Sequence, residues 1–243
     1  MPGVYLVWLE ASQIATEAKP GQFVMVRCGE STLLRRPLSI HVRDGNKIAL
    51  LYAVVGKGTR WLSECKAGDN IDLLGPLGNG FSVNPGSQNL LLVAGGMGVA
   101  PLYFLGYEAQ KKGHQVTLLI GVKTAARLPN HLLSIPVVYV TASEDGSTGM
   151  QGMITDYLAD YINLMDQIFA CGPTSMYRTM AAQNQQLLKA KPVQVSLEVM
   201  MGCGLGVCYG CTLKTKSGLK QVCQDGPVFD LADILWDELN YQQ

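Results

Sequence analysis

The first third of the chain alternates short apolar runs with turn chemistry. VYLVWLE (4–10), QFVMVRC (22–28), PLSIHVR (37–43), KIALLYAVV (47–55) and NIDLL (70–74) are rich in Val, Ile, Leu and Tyr. PG at 20–21, DGN at 44–46 and AGD at 67–69 punctuate them, and runs bounded in this way predict strands. With only one short helix, over 59–65, the pattern predicts a small antiparallel barrel or sandwich across residues 1–86.

The pattern changes after the polar stretch SVNPGSQ (82–88), which reads as a linker. NLLLVAG (89–95) is a continuous apolar strand, and a helix is predicted over 101–112. Further strands are predicted at QVTLLIG (115–121), PVVYVTA (136–142), QIFACG (167–172) and VQVSLEV (193–199), with helices over 154–161 and 175–189. Fully apolar strands alternating with helices predict an α/β unit over 87–195, its parallel sheet covered on both faces. Residues 196–243 form a third segment, rich in Gly and Cys and ending in the acidic run DLADILWDELN.

Composition narrows the function classes. Lys+Arg and Asp+Glu are both 19 and charged residues make up 16% of the 243, against about 25% in average domains. This leaves no electrostatic footprint for nucleic acid or an anionic membrane. Residues 90–107 are uncharged, but Gly95, Gly96, Gly98 and Pro101 interrupt them, so they read as strand, turn and helix rather than a membrane span. The N-terminus lacks the basic region of a signal peptide, and the expected location is the cytoplasm.

The seven cysteines are an odd number, which argues against a disulfide framework. Cys28, Cys65 and Cys171 stand alone, whereas Cys203, Cys208, Cys211 and Cys223 follow the spacing C-x4-C-x2-C-x11-C. C-x4-C-x2-C…C is the plant-type [2Fe–2S] pattern: a tight loop delivers three thiolates and a later segment closes the cage. Gly202, Gly204, Gly206 and Gly210 let backbone N–H groups approach the sulfurs. Structural zinc is the alternative left open, although its ligands usually come as two separated knuckles.

Two regions suit phosphates. Arg35 and Arg36 precede Pro37, Leu38 and Ser39, and a guanidinium and a hydroxyl on one strand, with about 3.4 Å of rise per residue, suit a phosphate chain. Gly56-Lys57-Gly58-Thr59 offers N–H groups ahead of the short helix. Gly95-Gly96-Met97-Gly98-Val99-Ala100-Pro101 joins an apolar strand to a helix, the context of a dinucleotide site although not the G-x-G-x-x-G fingerprint. Cys171-Gly172-Pro173 closes a second strand, where ligands of open α/β sheets bind. The isolated His41, His114 and His131 read as surface or packing residues.

These motifs, in this order, resemble the ferredoxin–NADP reductase superfamily. With CGLGVCYGC…C behind them, they resemble most its family of electron-transfer subunits of dihydroorotate dehydrogenase B. The resemblance implies that Arg36, Pro37, Leu38, Ser39, Leu51, Tyr52 and Ala53 contact FAD, with Gly58 and Thr59 at the pyrophosphate. It assigns Gly95, Gly96, Gly98, Ala100 and Pro101 to NAD(H), with Cys171 near the nicotinamide and Glu144-Asp145-Gly146-Ser147 as an acidic turn beside it. It makes Cys203, Cys208, Cys211 and Cys223 the ligands of a [2Fe–2S] cluster, and leaves Glu198 as a carboxylate near the flavin or a solvated strand end.

The implied partner is an FMN-containing catalytic subunit in a heterotetramer. Electrons from dihydroorotate would pass through the cluster and FAD to NAD+ in pyrimidine biosynthesis, with no acid–base residue needed. Lys123 and Arg127 stand where a 2′-phosphate would be met, so NADP stays open. Two departures stand out: relatives carry a further N-terminal strand, and the tail is too short for a complete ferredoxin domain. Subunits of hydrogenases or sulfide dehydrogenases, a stand-alone NADH–acceptor reductase and a zinc-stabilised binding module are the competing readings.

Overall fold

The computed structural model describes residues 3–128, 135–183, 188 and 191–239. His131 and most of the end of the helix expected over 175–189 lie outside them. Five strands, β1 (Val4–Glu10), β2 (Phe23–Val26), β3 (Arg36–Asp44), β4 (Lys47–Ala53) and β5 (Leu73–Leu77), form an antiparallel sheet in the order β1-β4-β3-β2-β5. The β3–β4 turn passes through Gly45 at φ +55, a left-handed conformation natural to glycine. The strand expected at 70–74 begins three residues later. Two short helices accompany the sheet: α1 (Ser12–Glu17), which the pattern did not predict, and α2 (Lys57–Glu64).

The second sheet contains β6 (Asn89–Gly95), β7 (Gln115–Val122), β8 (Val138–Ser143), β9 (Met150–Gln151), β10 (Gln167–Cys171) and β11 (Val193–Ser196), with helices α3 (Val99–Lys111), α4 (Leu158–Ile162) and α5 (Thr174–Gln183). The tail forms a hairpin, β12 (Thr212–Thr215) and β13 (Gly218–Gln221), and a last strand, β14 (Val228–Asp230). The sheet order is β14-β11-β10-β6-β7-β8-β9, parallel throughout except that β14 runs antiparallel to β11. The tail therefore extends the α/β sheet through β14, while its β12–β13 hairpin forms a separate two-stranded sheet.

Helix α3 is buried over most of its circumference, as a helix enclosed by protein must be. Phe104 packs among Ile40, Leu50 and Tyr52 of the antiparallel sheet. Leu102 and Tyr103 pack with Leu90 and Leu92 of β6 and with Val42 and Leu51. One helix thus joins the two sheets through continuous apolar core. The uncharged stretch 90–107 resolves into β6, the glycine turn and the start of α3, and no helix among the described residues is long and apolar enough to cross a membrane.

Candidate active site

A cavity of about 330 Å³ opens where β3 and β4 face the start of α3. Arg36, Pro37, Leu38 and Ser39 line it from β3, Leu51, Tyr52 and Ala53 from β4, Thr59 from α2 and Ala100 from α3. The sequence singled out each of these residues for the flavin except Ala100, which it assigned to NAD(H) and which lines this cavity and not the second. Gly58 shapes the rim: a Cβ there would lie 2.9 Å from Arg36 Nε, so glycine allows the guanidinium to rest on the N-terminus of α2. Thr59 Oγ1 accepts from the N–H groups of Val55 and Gly56 at 2.9 and 3.2 Å and fixes the turn.

The two arginines separate clearly. Arg35 makes a forked pair with Asp72, at 2.9 and 2.6 Å, and its hydrogen bonds hold the Asp72 carboxyl below the usual range. Arg36 has no ion-pair partner among the described residues and donates to the carbonyl of Leu34. A planar cation without a carboxylate, beside a helix N-terminus, is the donor set a diphosphate requires. The residues fit a flavin dinucleotide.

A second cavity, of about 170 Å³, lies across the glycine turn and is lined by Gly95, Gly96, Lys123, Glu144, Pro173 and Met176 among others. It sits where β6 is flanked by β7 and β10, the switch point of a doubly wound sheet. Gly96 has φ +54 and open space where a Cβ would stand, so backbone can approach a ligand there. Gly98 serves packing instead, since a Cβ would fall 2.0 Å from the carbonyl oxygen of Cys171 and glycine lets the turn cross the end of β10. Pro101 is buried in the first turn of α3 and lines neither cavity, at a position where a missing N–H costs nothing. The turn at 144–147 closes on itself through Asp145 and Ser147, leaving Glu144 as its cavity residue, while Arg127 is exposed outside both cavities.

Cys171 is fully buried, and its Sγ lies 3.9 Å from Glu198 Oε1 as a donor. Burial and then the neighbouring Glu198 push its thiol well above the usual range. Glu198 lines the first cavity and is exposed to it, and loss of hydration beside the surrounding protein raises its carboxyl. Ser196, Leu197, Val199 and Met201 line the same wall. VQVSLEV stops being a strand at Ser196, and the Leu197 N–H donates to the Pro227 carbonyl. Of this wall, the sequence marked Glu198 alone as a neighbour of the flavin; its cue was a single carboxylate in an apolar run just ahead of the cysteine block.

That wall runs directly into Cys203. Cys211 and Cys223 are each 2% exposed, whereas Cys208 is open to solvent. Backbone N–H groups point at the sulfurs: Leu205 to Cys203 at 3.3 Å, Gly206 to Cys223 at 3.2 Å and Cys223 to Cys211 at 3.4 Å. Gly204 and Gly206, at φ +76 and +80, bend the loop to allow this. Burial raises the Cys203 thiol, but N–H donors led by Leu205 outweigh it and bring it down to about 6. Burial and then the adjoining Cys211 push Cys223 up to about 12. Among the described residues no three His, Cys, Asp or Glu side chains converge on the point a single metal ion would need. The thiols adjoin in two pairs, Cys203 with Cys208 and Cys211 with Cys223, with N–H donors aimed at the sulfurs, and the donor set fits an iron–sulfur group. Cys28 is buried in the antiparallel sheet and Cys65 ends α2, away from this ring.

A flavin cavity and a nucleotide turn joined by one helix define the class first: an oxidoreductase with the ferredoxin–NADP reductase fold, here carrying an iron–sulfur tail. The structure of an NADH-dependent reduced ferredoxin-NADP oxidoreductase superposes with a TM-score of 0.87 and 32% identity, covering 98% of this chain and 87% of that one. Residues 198–235 match the iron–sulfur cluster binding domain of dihydroorotate dehydrogenase B. The electron transfer subunits of dihydroorotate dehydrogenase B (NAD(+)) from Desulforamulus reducens and Clostridium acetobutylicum are 37% and 40% identical, over 97% and 91% of this chain and 94% and 88% of theirs. The chain belongs to this family of dihydroorotate dehydrogenase B electron transfer subunits.

Proposed function

We propose that the chain holds FAD in the first cavity, NAD(H) across the Gly95–Ala100 turn and a [2Fe–2S] cluster on Cys203, Cys208, Cys211 and Cys223. It passes electrons from dihydroorotate oxidation in an FMN-containing catalytic subunit to NAD+ in pyrimidine biosynthesis, the two chains forming a heterotetramer. The chemistry supplied by the bound groups is one-electron exchange at the cluster and hydride exchange between flavin and nicotinamide.

The chain's own residues bind and orient. Arg36 and the N-terminus of α2 take the FAD diphosphate, and Pro37–Ser39 with Leu51–Ala53 form the slot for its ring. Gly96 leaves room for the nicotinamide dinucleotide, with Lys123 and Glu144 beside it. Cys171 keeps its proton and holds Glu198 against the flavin cavity. Backbone N–H donors tune the cluster sulfurs. Met200, Leu205, Val207 and Tyr209, all within eight residues of Cys208 in the chain, are 81%, 52%, 72% and 71% exposed, apolar surface suited to partner docking.

The observation that carries this reading is the run from Ser196 to Cys203. Five of its residues line the first cavity, and its last is the first cluster cysteine. The test is reconstitution with the catalytic subunit. Cys208→Ser is expected to abolish dihydroorotate-dependent NAD+ reduction while leaving FAD-dependent NADH oxidation by an artificial acceptor; full activity of the variant with the partner contradicts the relay. The likeness to the NADH-dependent reduced ferredoxin-NADP oxidoreductase supports a second reading, service to a different catalytic subunit. Copurification from the native host, with the partner's flavin identified, separates the two.

A further inference from the structure

His41 lines neither cavity, yet it joins the elements that build them. It lies on β3, two residues after Ser39, and contacts α3, whose first turn begins at the glycine loop between the cavities. In a regular strand Ile40 and Val42 share a face. Here Ile40 pairs with Leu50 and Val42 with the adjacent Ala49, so a bulge falls at His41. Ile40 packs in the core of the antiparallel sheet, and Val42 in the core shared with β6 and α3. Bulges re-aim side chains, and this one turns the imidazole onto the helix.

His41 is 1% exposed, and its ring stacks on Tyr103 with centroids 4.5 Å apart and planes 23° apart. Its Nδ1 is 2.9 Å from the Ala100 carbonyl oxygen. A carbonyl only accepts, so Nδ1 carries the proton and donates. Ala100 and Met97 line the first cavity, and Gly95 and Gly96 the second. An aliphatic side chain would fill the same space. The imidazole adds direction: one hydrogen bond fixes the height of the first turn of α3, and the stacked ring fixes its angle.

We propose that His41 is a positioning residue for hydride transfer: it clamps the first turn of α3 to the bulge of β3 and so sets the separation of the nicotinamide and flavin seats. The proposal rests on FAD and NAD(H) occupying the two cavities. With both groups bound, the chemistry they would supply between these seats is transfer of one hydride, carrying both electrons, from NADH to FAD, or the reverse in the direction of NAD+ reduction. Misplacement of reacting groups by about 1 Å costs on the order of a hundredfold in rate.

The test compares His41→Ala with His41→Asn, whose amide nitrogen reproduces the Nδ1 donor. In flavin-free protein, His41→Ala is expected to speed hydrogen exchange about tenfold at the amides of residues 97–104 and to leave the remaining strands protected. In the FAD-loaded protein it is expected to slow flavin reduction by NADH roughly 10- to 100-fold, the loss expected of a small misplacement, with FAD content and equilibrium NAD+ binding retained. His41→Asn recovers most of both effects. Unchanged flavin reduction in His41→Ala overturns the clamp, and so does exchange that quickens across the whole chain. A wild-type chain that takes up no FAD instead contradicts the underlying functional reading, and the clamp falls with it.

Discussion

Two strand–glycine–helix turns, at Gly56–Thr59 and at Gly95–Ala100, look alike in sequence and work differently in the fold. At the first, the absent Cβ of Gly58 makes room for the Arg36 guanidinium, so a full positive charge joins the helix N-terminus. At the second, the absent Cβ of Gly98 makes room for the Cys171 carbonyl, a contact of protein with protein. Of the glycines in this second turn, Gly96 alone has open space where a Cβ would stand, and it brings no charge. A charge-assisted hydrogen bond contributes about 1.5–3 kcal/mol and a helix terminus about 0.3–1. The difference suits a resident cofactor at the first turn and an exchanging one at the second.

Substitutions at these turns probe the contrast. The largest effect is expected from Gly98→Ala, whose methyl group meets backbone: chemical denaturation should show a loss of about 3 kcal/mol. Arg36→Ala should weaken FAD by about 2 kcal/mol, roughly thirtyfold by flavin titration, with stability and iron content unchanged. Gly96→Ala should cost about 1 kcal/mol in stability for its positive φ and weaken NADH several-fold, with FAD retained. If Arg36→Ala and Gly96→Ala weaken the same ligand, the two turns do not serve different cofactors.

The smallest effect concerns Glu198. Burial raises its carboxyl above the ordinary glutamate value, so the folded chain binds that proton more readily than the unfolded one. Stability should then fall as pH rises from the ordinary value toward the raised one. Glu198→Gln in flavin-free protein should flatten that part of the denaturation profile.

Much of this was legible in the sequence where one local pattern sufficed. NLLLVAG is continuous and apolar, and β6 spans Asn89–Gly95 accordingly. Three of the cluster cysteines are likewise contained in one loop, and the fourth follows a single hairpin. What escaped depends on distant partners or on very short elements. Helix α1 has six residues, no side-chain cap and two buried positions, too little for a helical period. Strand β14 has three residues and exists because β11 offers it an edge. Arg35 and Arg36 are equivalent in sequence until Asp72 claims one of them. The bulge that turns His41 onto Ala100 is a matter of register between two strands and leaves no mark in composition.

On the proposed function, flavin and cluster communicate through the wall running from Ser196 to Cys203, and flavin and nicotinamide across the first turn of α3. Anaerobic NADH titration of the wild-type chain and Cys208→Ser, followed by visible absorbance and low-temperature EPR, tests it most directly. Flavin is expected to bleach in both proteins, and a reduced two-iron signal to arise in the wild type alone. A wild-type protein with flavin that bleaches and iron that stays oxidised, or one holding zinc and no flavin, contradicts the claim.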